Sequence, residues 1–192
     1  MKKNHFYHFA LLVLLSQFAT SFVLAQTNQP IIAYVSIDGT KTGVFKGNAV
    51  TEGNEGKIEC IGFRYSVAVP HDVSSGRSSG KRQQSPFVII KNIDYSTPQL
   101  LQAAYNNETL KTVTIEFTKK SADGRQTIAY RVTLKNASIS LISQYGGTAS
   151  ADNGVNLTNN GSLFEEVTFT FQDIQSDHLI GNTTAMDSWT KE

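Results

Sequence analysis

His71 and Asp72 stand side by side with Ser74 and Ser75 just beyond, and a histidine, a carboxylate and a hydroxyl are the parts of a hydrolytic triad. The spacing argues against that chemistry. Side chains of chain neighbours diverge, so a base and its orienting acid are rarely adjacent, and neither serine sits in a nucleophile-elbow pattern. Glu165 and Glu166 are also adjacent, in a run whose apolar residues alternate, so they point to opposite faces of a strand and cannot work as an acid/base pair. They read as a solvated edge. Gly146-Gly147 and the stretch from Gly76 to Gly80 neither follow a strand nor open a helix, so they form no phosphate cradle. Beyond residue 25 the histidines are His71 and His178, which lack metal-ligand spacing. No catalytic residue, metal site or cofactor is expected.

Cys60 is the single cysteine, so no internal disulfide can form. Ile58, Ile61 and Phe63 around it place the thiol in an apolar strand, as a small buried hydrophobe. Asn-X-Ser/Thr triplets begin at Asn107, Asn136, Asn156, Asn160 and Asn182. They are glycan acceptors in a eukaryotic secretory pathway and ordinary polar loop residues in bacteria.

The elements that would carry these residues are mainly β. Apolar residues recur every second position over Ile31–Ile37, Lys57–Val69, Phe87–Ile93, Leu110–Lys120, Gln126–Ile142 and Leu163–Ile174, which predicts six strands. Val113, Ile115 and Phe117 alternate with polar residues, giving one core face and one wet face. Val88, Ile89 and Ile90 are apolar on both faces, as in a strand covered on both sides. The apolar phase is even from Ile128 to Leu134 and odd from Ala137 to Leu141, which predicts a β-bulge near Lys135 and Asn136. One helix is expected from Thr97 to Asn106. Ser96 and Gln99 form a capping box, Pro98 lies in the first turn, and Leu100, Leu101, Ala104 and Tyr105 make the stripe against the sheet. Asp123-Gly124 marks a tight hairpin.

Two longer segments interrupt the strands. Pro70–Ser85 is rich in Ser, Gly, Lys and Arg, and Tyr145–Ser162 in Gly, Asn, Ala and Thr. By composition each is a mobile linker; on a rigid β body, a loop of this length also reaches another molecule.

Residues 1–25 read as a secretory signal, with Lys2 and Lys3, an apolar run from Phe9 to Leu15, and Val23-Leu24-Ala25 before cleavage after Ala25. The run is shorter than the roughly 20 apolar residues a membrane span needs, so no stable span remains after cleavage. Residues 26–192 then form a single domain in an exported protein, periplasmic or secreted. The signal holds two of the 17 basic residues and none of the 16 acidic ones, leaving 15 against 16 and a formal charge of −1. No cluster of Lys and Arg suits a nucleic-acid partner.

In order and spacing, the motifs resemble the Hcp family, the haemolysin-coregulated proteins of bacterial type VI secretion. The resemblance is carried by Tyr34–Gly39 (YVSIDG), Gly56–Glu59 leading into Phe63–Val67, then Ser85-Pro86-Phe87, Lys91–Asp94 and Ser96–Leu100. It continues through Leu110-Lys111, Glu165–Phe171 and Asp187-Ser188-Trp189. It implies a compact β-barrel or sandwich of two sheets with one flanking helix, and a structural and transport role without enzymatic activity. The subunits would close into a homohexameric ring that stacks on others and carries effector proteins in its channel. Pro70–Ser85 would match the family's ring-to-ring loop, with Val73, Gly76, Arg77, Gly80, Lys81 and Arg82 as stacking candidates. The signal departs from the family pattern, since the tube is built in the cytoplasm. An exported monomeric binding or adhesin module on the same fold is the alternative.

Overall fold

A computed structural model describes residues 31–120, 126–146 and 163–189. The strands are β1 (Ala33–Gly39), β2 (Ile58–Cys60), β3 (Gly62–Arg64), β4 (Val67–Ala68), β5 (Gln83–Gln84) and β6 (Phe87–Asn92). Helix α1 (Thr97–Tyr105) follows, then β7 (Leu110–Lys120), β8 (Gln126–Tyr145), β9 (Phe164–Thr170), β10 (Asp173–His178) and β11 (Thr183–Ser188). The main path runs β2-β1-β7-β8-β9-β6-β3, with β10 on β8 and β11 on β10, while β4 and β5 pair separately. All the pairings are antiparallel.

Two sheets result because β8 serves both. Its first half lies between β7 and β10, and from Ser138 onward it pairs with β9. The expected phase change occurs at this corner, where Asn136 adopts φ 47° and the buried positions pass from Val132 and Leu134 to Ala137. The mechanism differs from the predicted bulge, however. Against β7 the register holds from Leu110↔Ala137 to Phe117↔Tyr130, and the ladder shifts fall at Phe117/Thr118 and Ile139/Leu141 instead. A left-handed asparagine turns the chain there without adding a residue to the ladder.

The long strand expected over Lys57–Val69 is three short ones. Ile32 N–H donates to the Cys60 carbonyl on the β1 side, and Ile61 N–H donates to Ile90 on the β6 side, so the backbone changes sheets within two residues. No ladder joins β2 to β3, so the sandwich form of the expected fold is the one adopted. The last expected strand is likewise divided. It ends at Thr170, and the chain returns as β10 and then β11, which hydrophobic alternation does not reveal.

The core holds Ala33, Val35, Ile37, Ile58, Phe87, Ile89, Val113, Ile115, Leu134, Val167 and Phe169, all 1% exposed or less. Cys60 is among them. Over Phe87–Lys91 every residue is buried, in keeping with a doubly covered strand. Gly47 is required by packing, because a Cβ there would stand 2.2 Å from the Lys57 carbonyl oxygen.

Helix α1 buries Thr97, Leu100 and Ala103, whereas Tyr105 is exposed and Leu101 only partly covered, so the stripe is rotated from the one expected. The capping box is also absent. Ser96 has helical dihedrals and its hydroxyl donates to Asp94 Oδ1 (2.6 Å), while Gln99 Nε2 donates to the carbonyls of Tyr95 and Lys46. Asp94 therefore organises the turn into the helix and also accepts from Ser96 N–H at 2.9 Å. The hairpin at Asp123-Gly124, the signal, and all of Tyr145–Ser162 beyond Tyr145 and Gly146 lie outside the described residues.

Candidate functional site

Pro70–Ser85 folds back on itself as a hydrogen-bonded arm. Val67↔Gln84 and Ala68↔Gln83 pair at its base, and Ser66 and Ser85 add two bonds below them. Ser85 N–H donates to the Ser66 carbonyl at 2.9 Å and Ser66 N–H to Ser85 Oγ at 2.8 Å. Further out, Ser79 N–H donates to Pro70, Asp72 N–H to Arg77 and Gly76 N–H to Asp72, each at 2.8 to 2.9 Å.

Asp72 makes the tip. Its Oδ1 accepts from the backbone and hydroxyl of both Ser74 and Ser75 at 2.6 to 3.0 Å. The Ser74 hydroxyl, with the donors of Ser75, holds the carboxyl down at about 2. Both hydroxyls are thus spent on building a turn, and Asp72 does not orient His71, whose backbone bridges to Ser78.

The six candidate residues separate into two groups. Val73 is fully exposed at the tip, Gly76 takes φ 65° there, and the Arg77 carbonyl closes the turn with Asp72. Gly80 lies beside the Pro70 ring, and Lys81 is exposed. Arg82 instead turns inward. Its Nε and one terminal nitrogen both donate to the Asp187 carboxylate on β11, and that nitrogen also reaches the Ser188 carbonyl at 3.4 Å. Gln84 Nε2 donates to Asp187 Oδ2, and Gln84 Oε1 accepts from Tyr65 O–H at 3.2 Å. The link from Arg82 to Asp187 escaped the sequence reading because more than a hundred residues separate them and no local pattern joins them, so Tyr65 and Asp187 entered it only within the motifs of the resemblance.

The remaining ionisable clusters build the scaffold. Glu165 is fully buried rather than on a solvated edge, and Glu166 is 7% exposed on the opposite face. Lys91 Nζ lies 2.9 Å from Glu165 Oε1 and 2.8 Å from Asp94 Oδ1, and also donates to the Asn92 carbonyl at 2.7 Å. Thr97 Oγ1 and Gln144 Nε2 donate to Glu165, at 2.7 and 2.9 Å. Each charge has its partners, so the cluster ties the entry to α1 onto β6 and β9. Glu166 pairs with Arg64 at 3.3 Å. Burial pushes the Cys60 thiol up to about 11, making it a poor nucleophile. His178 Nδ1 accepts from Gly181 N–H (3.0 Å) and closes the β10–β11 turn. Among the described residues, no group of three or more His, Cys, Asp or Glu side chains could hold a metal, and no helix is long and apolar enough to cross a membrane.

Two shallow clefts flank β11. One of about 240 Å³ is lined by residues including Lys135, Ile174, Met186 and Asp187, the other of about 230 Å³ by Gln84, Pro86, Phe171 and Trp189.

The sequence model of the family described as "Type VI secretion system effector, Hcp" matches residues 34–178. A Pseudomonas aeruginosa protein described as "Major exported protein" is 33% identical over 166 residues, spanning 82% of this chain and 94% of that protein. The solved structure of secreted protein Hcp3 from Pseudomonas aeruginosa is 29% identical with a TM-score of 0.66, covering 83% of this chain and 99% of its own. A doubly substituted Hcp1 from E. coli EAEC 042 shares the fold at a TM-score of 0.71 and 22% identity, over 83% of this chain and 99% of its own.

Proposed function

The chain belongs to the Hcp family of type VI secretion system proteins, and we propose from that premise that it closes into a homohexameric ring whose copies stack through the Pro70–Ser85 arm. Its role is structural. The proposed channel carries effector proteins, and the protein is exported, as the name of its Pseudomonas relative says of that protein.

The observation that carries the stacking role is the arm itself. It is a self-bonded hairpin with residues 71–83 all exposed, and it presents Val73 at the tip with Arg77 and Lys81 behind it. An ordered projection without a core of its own suits a contact with another molecule. Ring closure suits the fold as well, because a heterologous contact that closes covers the strand edges that a monomer leaves open. The family's role in type VI secretion is structural.

The test is the solution mass and negative-stain image of purified residues 26–192. Closed six-membered rings are expected, with stacking lost and rings retained when residues 76–80 are deleted. A monomer at high protein concentration would sink the ring and leave an exported binding module. Stacks that survive the deletion would remove the arm from the contact.

A further inference from the structure

The arm cannot set its own direction. Its ladder has two residue pairs, and an isolated two-stranded hairpin is marginal in water. Beyond that ladder come one isolated bridge and the Asp72 turn, both internal to the arm. Its pose must therefore be decided at the base, where it touches the body.

That base is built around one carboxylate. Arg82 grips Asp187 with two nitrogens, in the forked geometry that gives a guanidinium–carboxylate pair both strength and direction. Gln84 adds a third donor, and its amide is held in that orientation because Tyr65 O–H occupies the other end. Ser188 N–H donates to Asp187 Oδ1 at 2.9 Å, which fixes the carboxylate from its own strand. Asp187 is held below the ordinary aspartate range, first by the Arg82 hydrogen bonds. Among the described strands β11 pairs with β10 alone, so the arm is tied to the outermost strand of its sheet.

We propose that Arg82, Gln84 and Asp187 form a latch that sets the pose of the arm from β11, so that the arm and the β10–β11 hairpin move as one body. Arg82 is then a positioning residue and not a contact residue, unlike Val73, Arg77 and Lys81. The consequence for assembly rests on the arm being the ring-to-ring segment, but the latch itself does not. It holds the arm in one direction before a partner arrives, which lowers the ordering cost of stacking.

Hydrogen exchange on the full chain tests this, read on single rings or monomers separated by size so that stacking does not mask the arm. Arg82→Gln and Asp187→Asn should each speed exchange at the Ser79 and Ser85 amides at least about fivefold, with the β1–β7 ladder unchanged. Arg82→Lys, which keeps the charge but not the fork, should retain part of the protection that Arg82→Gln loses, and Arg77→Gln, outside the latch, should leave it intact. Wild-type exchange in both single variants would overturn the latch. So would loosening of the β1–β7 ladder by the same factor, or an Arg77→Gln arm as loose as the single variants. The outcome is separate from ring formation, because a monomeric wild type whose arm still loosens on Asp187→Asn retains the latch while losing the ring.

Discussion

Lys91 is a lysine with no exposed surface, and its charge is tolerated because Glu165, Asp94, Thr97 and the Asn92 carbonyl surround it. Removing it leaves two carboxylates buried without their cation. Lys91→Met is therefore expected to cost about 3–5 kcal/mol in urea unfolding, far more than the apolar gain of a methionine returns. A loss near zero would mean that water reaches the cluster. Glu116 offers a test in the other direction. Burial, its largest single influence, pushes its pKa up, but donors from Lys57 at 2.7 Å and Arg131 at 3.0 Å outweigh it and hold the carboxyl below its ordinary 4.5. A carboxyl with a lowered folded pKa stabilises above its unfolded value and loses that contribution as pH falls through the folded one. Glu116→Gln should thus flatten the acid-side decline of stability, measured by urea midpoints from about pH 7 to about pH 3. An unchanged slope would show that Lys57 and Arg131 do not favour the ionised form.

At the scale of elements, β8 carries the fold's main decision, because it leaves one sheet and joins the other at Asn136. A β-branched residue pays about 1–2 kcal/mol for the left-handed region, which glycine enters freely. Asn136→Val should lower the urea midpoint accordingly and Asn136→Gly should leave it nearly unchanged. Equal losses would shift the cause to the Asn136–Gln172 side-chain bond at 2.8 Å. The apolar phase switch made this corner visible in the sequence, though as a bulge, because alternation reports which face is buried and not how the backbone turns. β7 was legible to its ends for the same reason. β10 and β11 were not, since Asp173–His178 and Thr183–Ser188 are mostly polar and show no apolar alternation, although β10 lies between β8 and β11 and only β11 is outermost. The arm was seen as a segment but not as a hairpin. Its order comes from Asp72 and its pose from Asp187, and the second of these lies too far along the chain for any local signal.

For the whole molecule, the proposed signal sequence bears on where the proposed ring would assemble. The body begins with Ile32 N–H bonded to the Cys60 carbonyl, downstream of the proposed cleavage point after Ala25, so removal of residues 1–25 cuts no described ladder. A processed chain would thus keep the sandwich, the arm and its anchor on β11 and could close rings after crossing the membrane. A chain that assembles before export would instead keep Met1, because an assembled ring is far too wide to follow a signal peptide through as an unfolded strand. The N-terminal residue of exported protein, read by mass spectrometry, separates the two. Gln26 is expected in the exported pool, and Ala25→Arg, which places a charge where signal peptidase needs a small side chain, should hold the chain back as the full-length form. Exported protein that begins at Met1, in the wild type and in Ala25→Arg alike, would remove signal cleavage from the route.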